Sequence, residues 1–301
     1  MVTFLNLSDL HIQSKKIEDI RIVLNALFED IEKQNCKIDF ILFNGDLINN
    51  GSQGLTGDKE FELAVNEFIN PLLRVTGLSY NEFFIVPGNH DINRLKISEF
   101  IDLDITSKFN DRDRLNKFID NIGSVDNKLL LRRLEDYNEF VEGLYPGKSP
   151  YTVRSNPLFS TYIIKIGEYK IGIACLNSSW GAYGGSSDIN QLLIGVRQID
   201  LAARDLADCH LKIAMFHHPL DWLKEFDREA IKDILFVNFN MVFNGHLHVQ
   251  NQQMIVTEQF KTIMYRCGSL FENRLFNGYA ITHVNMNTSE ADIYLREYYD
   301  T

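Results

Sequence analysis

Residues 82–91 read EFFIVPGNHD. The first five are a short apolar run, Pro87 and Gly88 end it, and Asn89, His90 and Asp91 follow at once. A run this short, closed by turn residues, predicts a buried strand whose end carries polar donors. The same arrangement occurs four more times. Residues 2–7 (VTFLNL) run into Ser8, Asp9, Leu10 and His11, and residues 38–43 (IDFILF) into Asn44, Gly45 and Asp46. Residues 211–216 (LKIAMF) run into His217, His218 and Pro219. Residues 241–243 (MVF) run into Asn244, Gly245, His246, Leu247 and His248. Helix-patterned segments lie between some of these runs, so the polar residues gather at strand ends. In open α/β sheets that is where ligands sit. Gly45, Gly88 and Gly245 are read as allowing tight turns just before a ligand.

The donor types narrow the chemistry. Asp, Asn and His offer oxygen and nitrogen without thiolate, which suits Mn, Fe, Zn, Ni or Co and argues against iron–sulfur or four-cysteine zinc sites. A bridging carboxylate can hold two cations about 3.5–4 Å apart, a geometry that stabilises both oxygens of an in-line displacement at phosphorus.

The five blocks, in this order, resemble the calcineurin-like metallophosphoesterases, whose signatures read DxH, GD, GNH[DE], H and GHxH. The resemblance runs from about residue 2 to 298. It implies an α/β (α+β) four-layer sandwich, with two mixed β-sheets flanked by helices and two divalent metal ions at one edge. It assigns Asp9, His11 and His248 to one metal, Asn89, His217 and His246 to the other, and Asp46 to the bridge. Of His217 and His218, the family pattern favours the first as the ligand. A hydroxide between the metals would be the nucleophile. His90 would protonate the leaving oxygen, with Asp91 orienting its ring. Mn²⁺ is the metal expected to load the protein in vitro.

Within the family, GNHD with HHP and GHLH looks most like the branch of cyclic-nucleotide phosphodiesterases and related small-diester hydrolases. The GDxxDRG signature of the protein phosphatases is absent, since Asp46 is followed by Leu47, Ile48, Asn49, Asn50 and Gly51. LNSSW (176–180) and HHPLDWL (217–223) also resemble phosphoesterase domains of bacterial defence proteins, often the effector of an NTP-driven sensor. Three readings follow: a nucleotide phosphodiesterase, a metal-dependent DNA or RNA nuclease acting in defence, and a non-catalytic interaction module like the retromer subunit of this fold. The nuclease would use a basic groove of Arg94, Lys96, Lys108, Arg112, Arg114, Lys117, Arg132 and Arg133.

Composition sets bounds. The chain has 301 residues, 45% hydrophobic, enough for one large core with an insertion. Thirty Lys and Arg against 41 Asp and Glu give a formal charge of −11, which disfavours long polyanions. No apolar run of membrane-spanning length occurs, and the first residues lack a basic region and cleavage site. Cys36, Cys175, Cys209 and Cys267 form no CxxC pair. A cytoplasmic, reduced protein without a membrane partner is expected, free to form oligomers or to associate with or be fused to an NTPase sensor.

Along the chain, helices are expected over 14–35, over 58–74 (with Asp58 as N-cap and a break at Pro71), and over 191–208. Residues 94–147 leave this plan and read as a helical cap near the site. Residues 161–176 read as a hairpin, and 252–297 as strands completing a second sheet. Trp180 and Tyr183 lie on a Gly/Ser-rich loop where stacking of a base is one option and packing the other. Trp222 reads as a packing anchor, and His210 and His283 as histidines without a catalytic part.

Overall fold

The computed structural model describes residues 1–49, 51, 55–96, 108–145, 147–272 and 277–299. Strand β1 (Val2–Leu7) is buried at all six positions, as a strand covered on both faces must be. It pairs in parallel with β2 (Phe40–Phe43), which pairs in parallel with β3 (Phe83–Ile85). On its other side β1 meets β11 (Asn277–Asn285) antiparallel, and β12 (Glu290–Tyr298) closes that edge. The first sheet therefore runs β12-β11-β1-β2-β3. A second sheet holds β4 (Thr152–Ser155), β5 (Phe159–Ile166), β6 (Tyr169–Leu176), β7 (Leu211–Met215), β8 (Met241–Asn244), β9 (Asn251–Val256) and β10 (Lys261–Arg266). Its order is β4-β5-β6-β7-β8-β10-β9, with β6, β7, β8 and β10 mutually parallel.

The two sheets face each other across an apolar layer that includes Val2, Phe4, Phe84, Ile173, Ile213 and Phe243. Phe4 stacks on Phe40 of its own sheet at 4.8 Å and meets Phe243 of the other edge-on at 5.7 Å, tying the sheets together. Each such ring removed from water contributes about 1.5–3 kcal/mol. The outer face of the first sheet is covered by the helices Ile17–Gln34 and Leu55–Ala64. The outer face of the second is covered by Val196–Asp205 and Glu225–Asn238. The result is the expected four-layer α/β sandwich of two mixed sheets.

Several elements depart from the sequence pattern. The second helix starts at Leu55, so Asp58 lies within it and is not its N-cap. Pro71 does not end that helix. A π-turn at Val65–Ile69 precedes it and runs on through right-handed Ile69 into Asn70–Thr76, so the break in α-helical hydrogen bonding falls just before Pro71 and not at it. The helix expected over 191–208 forms only over Val196–Asp205, because Gly195 has φ +95° and breaks the chain direction before it. Residues 252–297 do not all join one sheet: β9 and β10 extend the second, whereas β11 and β12 flank β1 in the first.

Within 94–147, residues 97–107 and 146 lie outside the described residues. The rest is helical: Arg112–Asp120, Val125–Leu130 and Glu135–Leu144. Leu115, Phe118 and Ile119 pack into the outer layer of the second sheet, and Tyr137 and Leu144 into that of the first. The insertion thus straddles both helical layers. It approaches the GNHD loop where Asn93 N–H donates to the Arg133 carbonyl at 2.8 Å.

Candidate metal centre

The strand ends stay paired beyond the strands. Asp9 N–H donates to Gly45 O at 3.0 Å, His11 N–H to Asp46 O at 3.0 Å, and Gly245 N–H to His217 O at 2.9 Å. These bonds tie the blocks in two pairs, and His90 N–H to Asp46 Oδ1 and His246 N–H to Asp9 Oδ2 bring all five to one rim. The backbone there is strained. Asp9, His11, Asp46, His246 and His248 all have φ between 50° and 73°. Side chains other than glycine enter that region only at a cost, and it persists where surrounding structure over-determines it.

Gly45 serves the expected turn, whereas Gly88 and Gly245 serve another purpose. Of Gly45, Gly88 and Gly245, Gly45 alone has a positive φ (+93°). Gly88 and Gly245 are required for closeness: a Cβ on Gly88 would lie 2.0 Å from Asp46 Oδ1, and one on Gly245 would lie 2.1 Å from Ser8 Oγ.

Asp9 and Asp46 each commit one oxygen to backbone N–H groups and leave the other for the rim. Asp9 Oδ2 accepts from His246 N–H at 3.1 Å and from Ser8 Oγ. Its Oδ1 has no hydrogen-bond partner, although it lies 3.1 Å from His248 Nε2 and 3.8 Å from His11 Nε2. The two imidazole Nε2 atoms approach each other at 3.2 Å. Asp46 Oδ1 accepts from His90 N–H at 2.8 Å. Asp46 Oδ2 lies 3.9 Å from His11 Nε2 and 3.1 Å from His217 Nε2, so a single oxygen faces both halves of the rim. In the second half His217 Nε2 is 3.2 Å from His246 Nδ1, and Asn89 Oδ1 is 3.2 Å from His218 Nε2. Asp9, His11 and His248 form one cluster with donor atoms within 4.8 Å of one another, and His217, His218 and His246 form another. A buried, unpartnered carboxylate oxygen beside converging imidazole nitrogens fits a cation. Nitrogen and oxygen donors without sulfur fit a borderline or hard divalent one.

The electrostatics point the same way. Burial lowers His11 to about 4 against the opposing charges of Asp46 and Asp9, and burial and then His217 lower His246 to about 3, so both offer lone pairs at neutral pH. His218 is held well below the usual histidine range by burial and then by His217. His217 goes the other way, to about 9: burial opposes its charge, but Asp46 prevails. A proton on His217 meets the demand for positive charge that a cation would meet. His217 Nδ1–H donates to the Asn44 carbonyl at 2.7 Å, which fixes Nε2 toward Asp46. His218 Nδ1 instead faces Ser178 Oγ at 3.0 Å.

His90 lies at the rim, its ring 4.8 Å from that of His11. Its ring was expected to be oriented by Asp91. Instead His90 Nδ1 faces the Asn49 carbonyl. Asp91 turns inward and accepts from Ile48 N–H at 3.0 Å and Gly88 N–H at 2.8 Å. The GNHD turn, closed by Asp91 N–H to the Gly88 carbonyl at 3.3 Å, aims the carboxyl at N–H groups and away from the ring. Burial, and then the charge of Asp46, push this carboxyl up to about 7.

Three residues have a part at the rim that the sequence did not assign them. Trp222 packs 4.1 Å from the His246 ring and runs nearly parallel to His218, so it borders the site as well as the core. Arg94 donates to the Asn89 carbonyl at 2.8 Å. Glu272 Oε2 lies 3.1 Å from His248 Nδ1. Trp180, by contrast, is buried and stacked on Phe118 at 5.1 Å, which removes it from any substrate. His210 and His283 hydrogen-bond Lys170 N–H and Thr3 Oγ1.

The family model for the calcineurin-like phosphoesterases matches residues 2–250, and the chain belongs to that family. It is similar to the uncharacterized metallophosphoesterase-like protein YydB of Bacillus subtilis, with 25% identity over 252 residues. That alignment covers 82% of this chain and 49% of YydB, so the chain spans about half the length of this relative. Among solved structures it is similar to wild-type Vps29 complexed with zinc from Entamoeba histolytica: 10% identity, 98% of this chain and 99% of that one covered, TM-score 0.33. Vps29 from Cryptosporidium parvum gives 12% identity, coverage of 99% and 98%, and a TM-score of 0.29.

Proposed function

We propose that this chain is a dinuclear-metal-dependent phosphodiesterase that hydrolyses nucleotide phosphodiester bonds, in the cytoplasm. The observation that carries the reading is Asp46 Oδ2, one oxygen aimed at both halves of a histidine-rich rim. Two divalent cations bound there would supply Lewis acidity and a water acidified from a pKa of about 15.7 to roughly 7. Asp9, His11 and His248 would hold one, and Asn89, His217 and His246 the other. The chain's own residues do the rest. Backbone N–H groups lock one oxygen of each carboxylate, so the ligand oxygens need no reorganisation. His90 is oriented by the Asn49 carbonyl through Nδ1–H, which leaves Nε2 to carry the proton given to the leaving oxygen. Trp222 gives the rim an aromatic wall, and stacking a nucleobase on such a ring is worth about 1–3 kcal/mol.

Long nucleic acids fit less well. Of the basic residues expected to line a groove, Arg133 is buried and donates to the Ala182 carbonyl. Lys96 pairs with Glu135 and Asp136. Association with an NTP-driven sensor belongs to the same reading and rests on the resemblance of 176–180 and 217–223 to defence effectors.

Mn²⁺-loaded protein should be assayed on cyclic mononucleotides, dinucleotides, single- and double-stranded DNA, and RNA. Small diesters are expected to turn over fastest; preference for DNA or RNA would favour the nuclease. Asp46→Ala should abolish metal loading and activity. His90→Ala should keep the metals and slow diesters with poor leaving groups by about 10²–10⁴-fold. Unchanged hydrolysis of bis(p-nitrophenyl) phosphate by both variants would refute the assignment.

A further inference from the structure

We propose that Glu272 is a positioning residue for His248, and that the segment 269–272 sets the cation affinity of the half-site formed by Asp9, His11 and His248. The inference rests on the reading of the rim as a metal centre. Glu272 Oε2 lies 3.1 Å from His248 Nδ1, while His248 Nε2 lies 3.1 Å from Asp9 Oδ1. An imidazole that offers Nε2 to a cation keeps its proton on Nδ1. Donating that proton to a carboxylate fixes the tautomer and ring angle and makes Nε2 a better donor.

The three histidines that face the two aspartates most closely are supported differently. His217 gives its Nδ1–H to a neutral carbonyl, that of Asn44. His11 Nδ1 has no hydrogen-bond partner. His248 is backed by a carboxylate, so the two halves of the rim are tuned unequally.

The same segment grips the other end of the half-site. Ser269 Oγ donates to the Asp9 carbonyl at 2.9 Å, and Leu270 N–H donates to the Ser8 carbonyl at 2.9 Å. Phe271 N–H reaches the Asp9 carbonyl at 3.3 Å. Glu272 N–H is itself held by Asn277 Oδ1 at 2.6 Å. Three successive residues thus fix the Ser8 and Asp9 carbonyls, and the fourth delivers a carboxylate to His248. All four lie beyond residue 250, where the family match ends. The Glu272 side chain is 32% exposed, so replacing it leaves no sealed cavity and no buried unpaired charge.

The test uses the full chain freed of metal by chelation. Wild type, Glu272→Gln and Glu272→Ala are titrated with Mn²⁺ by calorimetry and with Co²⁺ by visible absorption. Each is also melted without metal. Wild type should bind two equivalents. Glu272→Ala should weaken one of them by about 10–100-fold and leave the other unchanged. Glu272→Gln should fall between, because its amide oxygen still accepts the Nδ1 proton but carries no charge. The metal-free melts should coincide. The assignment is overturned if both variants bind both equivalents as wild type does, if both sites weaken equally, or if the metal-free melt falls with the affinity. A wild-type chain that binds no cation overturns the metal-centre reading itself, and this inference with it.

Discussion

Gly88→Ala should disable the site by geometry alone. The added Cβ would lie 2.0 Å from Asp46 Oδ1, 2.3 Å from Asp46 N and 2.6 Å from Asp46 Cγ. Real Cβ contacts stay above 3.0 Å, so the Gly88 loop or the Asp46 turn must retreat by at least 3.0 − 2.0 = 1.0 Å. One obstructing atom is backbone, so no side-chain rotation relieves it. A retreat of that size would strain His90 N–H to Asp46 Oδ1 and Gly88 N–H to Asp91 Oδ2, both now 2.8 Å. Overpacking of this kind costs about 1–3 kcal/mol. Loss of one hydrogen bond to a charged acceptor adds about 1.5–3 kcal/mol. The sum, roughly 3–6 kcal/mol, is a large part of the ~5–15 kcal/mol that holds a folded domain together. Gly77→Ala is the matched control. Its φ is +69° but nothing lies within 4 Å of the added Cβ, so only the left-handed backbone is penalised, by about 1–2 kcal/mol. Thermal melts and Mn²⁺ titration of both variants decide. Gly88→Ala should melt lower than Gly77→Ala and lose tight metal binding, whereas Gly77→Ala should bind as wild type. If Gly88→Ala melts no lower than the control and binds Mn²⁺ normally, the steric reasoning is wrong.

Two further outcomes are expected. Mn²⁺ should raise the melting temperature of wild type, with a stabilisation of about 2.7 kcal/mol at a hundredfold excess over Kd, and should leave Asp46→Ala unmoved; equal shifts in both would place the cation elsewhere. Asp227 accepts from Ile194 N–H and Gly195 N–H, and burial pushes its carboxyl up from 3.8 to about 6. Between those pH values the native state holds more protons than the unfolded chain, so this group's contribution to stability falls as pH rises through the window. The difference between wild type and Asp227→Asn in urea melts should therefore grow in favour of the variant from pH 4 to 7, by on the order of 3 kcal/mol. Parallel curves would remove Asp227 as the cause.

The strands were legible because a strand buried on both faces is an unbroken apolar run, as β1 and β2 are. The ligand blocks were legible because they sit directly at the ends of those runs. Asp91 was misread because adjacency in sequence suggests contact with His90, whereas the turn sends its carboxyl to the N–H groups of Gly88 and Ile48. The places of Trp222 and Glu272 beside the site were unreadable for another reason. Each reaches the rim across a tertiary contact, Trp222 to His246 and Glu272 to His248, and a single aromatic or acid in a loop carries no periodic signal.

Backbone strain was equally unreadable, yet it bears on function. Among the described residues nine non-glycine positions have positive φ, and five of them are Asp9, His11, Asp46, His246 and His248. At about 1–3 kcal/mol each, five such residues oppose folding by an amount comparable with the whole net stability of a domain. Turns that had only to connect strands to helices could use glycine or asparagine and avoid that cost. Here the left-handed residues are the ones whose side chains converge, and Gly45, Gly88 and Gly245 are small where those side chains and turns crowd. The strain and the crowding have one consequence in common: five side chains from distant parts of the chain point at the same few ångströms. That convergence supports a site built to hold charge better than any single histidine in it does.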